Sequence, residues 1–361
     1  MDHPVRLRRL QQALQRHRLD ALLVTHLPNV RYLCGFTGSS GALMVTSAKP
    51  VFVTDGRYAA QAKAEVQGAR IVISGKGPLL AAAEWLDANH KRGRWRLGIE
   101  SEHLTVASRR RLAEALPSAI KINDAPPLVE QARIVKDAEE INRLRAAVDL
   151  GAKLFDHALD VIRPGVKETE VAAEMEYAAR QAGAEEMSFP TIIASGERSA
   201  LPHGRASDAA IPSQGFVVCD FGVILAGYCS DMTRTVYVGR VAEETRRNYD
   251  AVRDAQQAAL EAIRPGRTVG EVDGAARKVL QKRGLGKYFT HSTGHGVGLE
   301  IHEAPRIAAG VEDVLRPGMV ITIEPGAYVP GKWGVRIEDM VLVTERGHEV
   351  LTPTSKELIA I

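Results

Sequence analysis

Ile162-Arg163-Pro164-Gly165 recurs 101 residues later as Ile263-Arg264-Pro265-Gly266. At the same offset Glu170-Val171 is matched by Glu271-Val272, and Gly183 by Gly284. Proline fits poorly in a helix interior and glycine favours the position just past a helix end, so each Pro-Gly reads as a stop. The apolar periodicity around the stops predicts helices over residues 137–162 and 242–263 before them, and over 168–182 and 269–283 after them. Each helix pair leads into an apolar run opened by glycine. The first is Gly215-Phe216-Val217-Val218-Cys219-Asp220, whose return arm reaches Ser230-Asp231-Met232. The second is Gly318-Met319-Val320-Ile321-Thr322-Ile323-Glu324, returning to Glu338-Asp339-Met340. A single duplication predicts two similar helix–helix–sheet halves related by a pseudo-two-fold axis, with a cleft between them.

Upstream the texture differs. Leu7, Leu10 and Leu14 share one helical face, and residues 21–25 read as a buried strand. Strand patterns at 41–46, 51–54, 71–74, 97–100 and 120–123 alternate with helical patterns at 58–66, 79–89 and 106–116. Such alternation predicts a layered α/β domain. It stops at Ala125-Pro126-Pro127, and paired prolines disfavour both helix and central strand. The expected organisation is therefore an α/β domain over residues 1–125 and an α+β domain with duplicated halves over residues 126–361.

Composition narrows the function. A chain of 361 residues, 45% hydrophobic and 25% charged, is an ordinary globular protein of two domains. A net charge of +3, from 47 Lys+Arg against 44 Asp+Glu, argues against a dedicated nucleic-acid binder. Aromatics at 5% leave too few rings for a base-stacking platform. No apolar run reaches about 18 residues, so neither a transmembrane helix nor a membrane partner is expected. The N-terminal stretch is charged throughout and predicts no signal peptide. Cys34, Cys219 and Cys229, at unrelated spacings, suit a reducing cytoplasm. Cys229 reads as a small buried hydrophobe.

The chemistry lies in the acids of the duplicated halves. Asp220 interrupts an otherwise apolar strand, and ionised carboxylates are rarely buried unless paired or bound to metal. Asp231 follows at a spacing of 11, on the return arm of a hairpin expected over 223–238. Glu324 and Glu338 repeat the arrangement at a spacing of 14. Four carboxylates aimed into one cleft would repel strongly, and two divalent cations with hard oxygen ligands resolve that repulsion. His291, Thr293 and His295 alternate, so an extended segment puts them on one face. Imidazole is a common transition-metal ligand, and His203 and His302 fall near the same strands and turns. Arg336 precedes Glu338 by two and shares its strand face, as a cation to orient that carboxylate or bind an anionic group.

Together, Asp220-Phe221-Gly222, Gly227-Tyr228-Cys229-Ser230-Asp231-Met232-Thr233-Arg234-Thr235, the segment 291–303, Glu324-Pro325-Gly326 and Gly334-Val335-Arg336-Ile337-Glu338-Asp339 resemble the proline-specific metallopeptidases. These are Xaa-Pro dipeptidase (prolidase) and Xaa-Pro aminopeptidase (aminopeptidase P), and the resemblance covers essentially the whole chain. Asn29-Val30-Arg31-Tyr32-Leu33-Cys34-Gly35-Phe36-Thr37-Gly38-Ser39 and Thr54-Asp55-Gly56-Arg57-Tyr58 are similar to the family's creatinase-type N-terminal domain. The resemblance implies a duplicated pita-bread catalytic domain. It places five metal ligands on Asp220, Asp231, His295, Glu324 and Glu338, holding two divalent ions per subunit, with Mn²⁺ favoured over Co²⁺ or Zn²⁺. It gives substrate-facing roles to His203, His291, His302 and Arg336, and implies a homodimer.

The implied reaction is hydrolysis of the bond between an N-terminal residue and proline. Glu324 is the expected base, which accepts the proton of an activated water and passes it to the departing prolyl nitrogen. His302 is expected to donate to the developing oxyanion and His203 to hold the substrate carbonyl or the proline end. A peptide with proline in second position is the expected partner, with the dipeptidase favoured over the aminopeptidase. A non-catalytic pita-bread peptide-binding module is the alternative of a different class, and it counts against that alternative that no ligand is missing.

Overall fold

Leu7, Leu10 and Leu14 are buried along one side of α1 (His3–Arg16) in the computed structural model of the chain. The structure describes residues 1–90 and 93–361, in two units, Met1–Arg133 and Ile134–Ile361. The first unit continues through β1 (Ala21–Val24), α2 (Leu27–Cys34), β2 (Ala42–Thr46), β3 (Val51–Asp55), α3 (Ala59–Glu65) and β4 (Arg70–Ser74). It closes with α4 (Pro78–Asn89), β5 (Trp95–Ile99), α5 (Val106–Ala115), β6 (Ile120–Asp124) and α6 (Leu128–Arg133). Its six strands form one mixed sheet in the order β4-β3-β2-β1-β5-β6.

The short helices α2 and α6 are additions to the sequence reading. Pro28 sits in the first turn of α2, where its missing N–H does no harm, and neither helix is long enough to show a period. Polar contacts hold them instead. Buried Asn29 donates to Glu100 at 2.7 Å and to Glu130 at 2.5 Å, and accepts from Arg133 Nη1 at 2.7 Å. These bonds keep α6 with the first unit, so the division falls after Arg133, eight residues past Ala125.

The second unit repeats one order of elements. Its first half runs α7 (Ala138–Val161), α8 (Glu168–Gln181), β7 (Glu186–Met187), β8 (Ile192–Ser195), β9 (Gly215–Phe221), β10 (Val223–Leu225), β11 (Tyr228–Cys229) and β12 (Met232–Val238). The second half runs α9 (Glu243–Ala262), α10 (Val269–Lys282), β13 (Gly294–Gly296), β14 (Glu303–Ile307) and β15 (Val320–Ile323). It ends with β16 (Gly326–Val329), β17 (Trp333–Arg336), β18 (Asp339–Val343) and β19 (His348–Val350). The duplicated stops are equivalent in detail. Gly165 and Gly266 both take φ +87°, which favours glycine, and their N–H groups donate to Ile211 and Leu315, each at 2.9 Å. The matched Glu170 and Glu271 reach back to the backbone N–H of Lys167 and Thr268, at 3.3 and 2.8 Å. Phe155, Met175, Ile193, Val217, Cys219 and Val236 share one core, and Tyr249, Val252, Leu280, Ile321 and Val341 share another.

The expected 223–238 hairpin is not continuous. β12 pairs with β9 along its whole length, from Met232 opposite Phe221 to Val238 opposite Gly215. The short pair β10–β11 leaves this ladder and joins β7 in a separate sheet. The chain therefore breaks twice, at Gly222 and at Ser230-Asp231. The second half breaks likewise, with β16–β17 forming a sheet of their own between β15 and β18.

Gly222 makes the first break possible. A Cβ there would lie 1.8 Å from the Ser230 carbonyl oxygen, inside any van der Waals contact. Gly222→Ala should therefore force the two arms apart and destabilise the chain, by on the order of 2–3 kcal/mol as overpacking does. Urea denaturation checks this, and an unchanged midpoint would show that the arms can yield.

Candidate metal centre

Period-2 alternation along β9 turns Val217, Cys219 and Phe221 into the first half's core. Asp220 consequently points to the opposite face, where it pairs in register with Thr233 of β12. The other three acids sit in the strand breaks: Asp231 before β12, Glu324 between β15 and β16, and Glu338 between β17 and β18. Glu324 is held by its own N–H on the Thr293 carbonyl at 2.7 Å, and Glu338 by its N–H on the Thr233 carbonyl at 3.1 Å. With His295, they line one cleft of about 700 Å³.

Ligand atoms of Asp231, His295 and Glu338 lie within 4.8 Å of one another. His295 Nε2 is 3.5 Å from Asp231 Oδ2 and 3.7 Å from Glu324 Oε1. Its Nδ1 faces the Gly296 carbonyl at 2.9 Å. That bond puts the proton on Nδ1 and leaves the Nε2 lone pair turned to the carboxylates, the tautomer a metal requires. Asp220 Oδ1 is buried with no partner among the described residues. An orphaned carboxylate oxygen, three further acids and a bare imidazole nitrogen are a donor set that fits divalent metal.

The electrostatics agree. Burial, then the neighbouring Glu338, Asp220 and Glu324, push the Asp231 carboxyl well above its usual range. Burial, then Glu324 and Asp220, do the same to Glu338, and burial holds Glu324 up at about 8. Burial also depresses His291 and His295 to about 4 and lowers His302. Without a cation, Asp231, Glu324 and Glu338 hold protons above the usual carboxylate range and the three imidazoles stay neutral.

Among the described residues, Arg336 is the one buried cation lining the cluster, and it differs from the expectation. It meets Asp220 of the other half, not Glu338 two residues away. Its remaining donors go to Thr233 Oγ1 at 3.1 Å, Tyr328 Oη at 2.6 Å and the Pro202 carbonyl at 3.0 Å. It is 3% exposed, at the wall of the cleft. The link to Glu338 is indirect, through Thr233, whose hydroxyl donates to Glu338 Oε2 at 2.7 Å. Tyr328, not singled out from sequence, donates on to His291 Nε2 at 3.0 Å, and His291 Nδ1 donates to the Ser292 carbonyl at 2.7 Å.

The four histidines all line the cleft. Thr293 does not share the face of His291 and His295: it turns to Asp273 of α10 at 2.8 Å. The reason is that β13 begins only at Gly294, so residues 291–293 are not an extended strand and need not alternate. His302 lies edge-on to His295, ring centres 4.4 Å apart. Phe189, Pro190, Ile192, Pro202 and Ile301 give the cleft an apolar wall, and exposed Arg205 and Arg306 a positive rim. Cys229 is buried and its thiol is pushed up to about 12, as an inert core residue's would be.

Residues 142–345 match metallopeptidase family M24, and residues 6–135 match the Creatinase/Prolidase N-terminal domain. The chain belongs to metallopeptidase family M24. It is 38% identical over 358 residues to the Xaa-Pro dipeptidase of Pyrococcus horikoshii, covering 98% of each chain. The solved structure of an Xaa-Pro dipeptidase from Bacillus anthracis matches with a TM-score of 0.95 and 40% identity over 100% of both chains. That of the X-Pro aminopeptidase from Thermotoga maritima matches with a TM-score of 0.90 and 34% identity, over 99% of this chain and 100% of the other. The expected creatinase-type domain followed by a duplicated peptidase domain is borne out, and family membership brings divalent metal with it. Among the described residues, no helix is long and apolar enough to cross a membrane.

The raised carboxyls set a pH dependence. Asp231, Glu324 and Glu338 hold protons more tightly folded than unfolded, so their contribution to stability is complete at low pH and is lost as pH rises through the folded values, near 8 for Glu324. The depressed histidines act in the opposite sense, but only below about pH 6.5. Between about pH 6.5 and 8, chelator-treated protein should therefore lose thermal stability, and added divalent metal should raise its melting temperature more at the higher pH. Differential scanning calorimetry with and without chelator checks this; a metal effect equal at both pH values would contradict it.

Proposed function

We propose that this M24 peptidase is an Xaa-Pro dipeptidase, with two divalent ions, manganese by preference, held by Asp220, Asp231, His295, Glu324 and Glu338. The observation that carries the reading is the convergence of four carboxylates and one lone-pair-bearing imidazole on a single cleft. The oxygen-rich donor set suits manganese. The relatives from Pyrococcus and Bacillus, named as Xaa-Pro dipeptidases, support the substrate class. The three cysteines are buried free thiols and suit a reducing compartment such as the cytoplasm.

Bound there, divalent ions polarise a carbonyl oxygen and lower the pKa of water. Glu324 takes a proton from the attacking water and delivers it to the departing prolyl nitrogen. His302, exposed on the cleft and kept neutral, donates an N–H where negative charge develops on the scissile carbonyl. His203, also exposed, holds the substrate carbonyl or the proline end. An Xaa-Pro amide has no N–H to recognise, so selection falls to shape, and the apolar wall of Phe189, Pro190, Ile192, Pro202 and Ile301 supplies it. The guanidinium groups of Arg205 and Arg306 suit a free carboxylate just beyond the proline, which favours a dipeptide over a longer chain.

Glu324→Gln should lower kcat on Ala-Pro by about 10²–10⁴ while the chain stays folded, the range expected for loss of a general base. Turnover within a few-fold of the parent would remove Glu324 from that role. His302→Ala should cost about 10²–10³ in kcat. Ala-Pro should be hydrolysed in preference to Ala-Pro-Ala; the reverse order, measured by amino-acid release, would make the enzyme an aminopeptidase.

A further inference from the structure

We infer that Glu168 and Asp273 are positioning residues, each a solvent-sealed carboxylate that clamps the loop bearing a cleft histidine, Glu168 for His203 and Asp273 for His291. Glu168 opens α8, and its side chain has no exposed surface. Its Oε1 accepts from the N–H and hydroxyl of Ser195, at 2.8 and 2.9 Å. Its Oε2 accepts from the N–H and hydroxyl of Ser207, at 3.1 and 2.8 Å. Arg198 Nε sits across both oxygens, at 3.2 and 3.0 Å. One carboxylate thus closes both ends of the loop 196–206, in which His203 stands. Inside the loop, Arg198 Nη2 donates to the Arg205 carbonyl at 2.8 Å, and Arg336 donates to the Pro202 carbonyl at 3.0 Å.

Asp273 does the same on the other side. Its side chain is fully buried and accepts from Arg277 Nε at 2.6 Å, Arg277 Nη2 at 3.1 Å and Thr293 Oγ1 at 2.8 Å. Arg277 passes the hold to the Phe289 carbonyl at 3.2 Å and the His291 carbonyl at 2.6 Å, with its guanidinium 4.3 Å from the Phe289 ring centre. The offset of 101 pairs Glu168 with Val269 and Asp273 with Ala172, so the duplication alone does not supply the two acids. Replacing a buried ion pair by well-packed apolar groups is often neutral or stabilising, so mere core filling does not call for a carboxylate at either place. What the two share is the kind of segment they hold, one that carries a cleft histidine.

The inference rests on the role proposed for His203 and on the substrate-facing role that the family resemblance implies for His291, but the clamp can be read without activity. Amide hydrogen exchange on the full-length, metal-loaded chain compares the parent with Glu168→Gln and Asp273→Asn. Glu168→Gln should speed exchange at least about tenfold over residues 196–206 and leave 287–293 unchanged; Asp273→Asn should do the reverse. On Ala-Pro, Glu168→Gln should reproduce the KM-against-kcat split of His203→Ala, and adding it to His203→Ala should change either constant by less than about twofold. Metal content should not change. Exchange that stays slow, or that quickens evenly across residues 134–361, overturns the inference, as do multiplying kinetic effects. If Glu168→Gln does not fold, Ser207→Ala, which removes one donor, is read the same way. A parent chain inert toward Ala-Pro whose loops respond as expected would sink the dipeptidase reading and leave the clamps standing.

Discussion

Like charges brought together out of water are the constraint around which the second unit is arranged. Two unit charges about 4 Å apart interact by roughly 4 kcal/mol at an effective dielectric constant of about 20. The cleft gathers Asp220, Asp231, Glu324 and Glu338, and burial keeps three of them protonated well beyond their normal range. Arg336 supplies one positive charge, and it is engaged with Asp220. A single guanidinium cannot neutralise four carboxylates, so the cluster must bind protons or cations. Which of these it binds depends on pH and on metal supply, and that is the coupling of metal binding to proton release expected of any such site.

The strand breaks are how the backbone answers this constraint. The ladder registers already aim the acids of each half to one face: Ile323 stands opposite Asp339, which sets Glu324 against Glu338, and Asp231 lies two residues from Thr233, the partner of Asp220. By detaching β10–β11 and β16–β17 from the main ladders, the chain leaves Asp231, Glu324 and Glu338 at the ends of the paired strands, beside the cleft. The cost is a close approach at Gly222, which no other residue tolerates without movement. Behind the acids, buried Arg234 ties the break down. It donates to the carbonyls of Thr233 and Glu338, at 2.9 and 2.5 Å, and to Asp339 Oδ1 at 2.6 Å. One face of this segment is thus built of fixed charge pairs so that the other can present an unpaired one.

Much of this was legible in sequence because duplication writes itself twice. The Pro-Gly stops and the helix limits within one or two residues follow from local rules and a shared offset, and the acids from their matched order in the two halves. What could not be read was non-local. Nothing in the spacing of Arg336 and Glu338 shows that Arg336 reaches a residue 116 positions away in the other half. Tyr328, Arg205 and Arg306 carry no periodic mark, and they matter only because folding brings them to the cleft. Thr293 differs for a related reason: alternation holds in an extended strand, and β13 starts only at Gly294. The helices α2 and α6 escaped because polar bonds through Asn29, not an apolar stripe, secure them.

The position of Arg336 also bears on how a substrate is recognised. A guanidinium at 3% exposure, engaged with Asp220, Thr233, Tyr328 and Pro202, cannot turn to a ligand without unpairing a buried charge. Its work is to fix Asp220 beside the other acids and, through Tyr328, to settle the proton on His291. On the proposed dipeptidase reading, contact with an anionic end of the substrate falls to exposed groups, and Arg205 and Arg306 line the cleft as such groups. The division is physically sensible: the buried cation sets the electrostatics of the centre permanently, while the exposed ones respond to whatever enters.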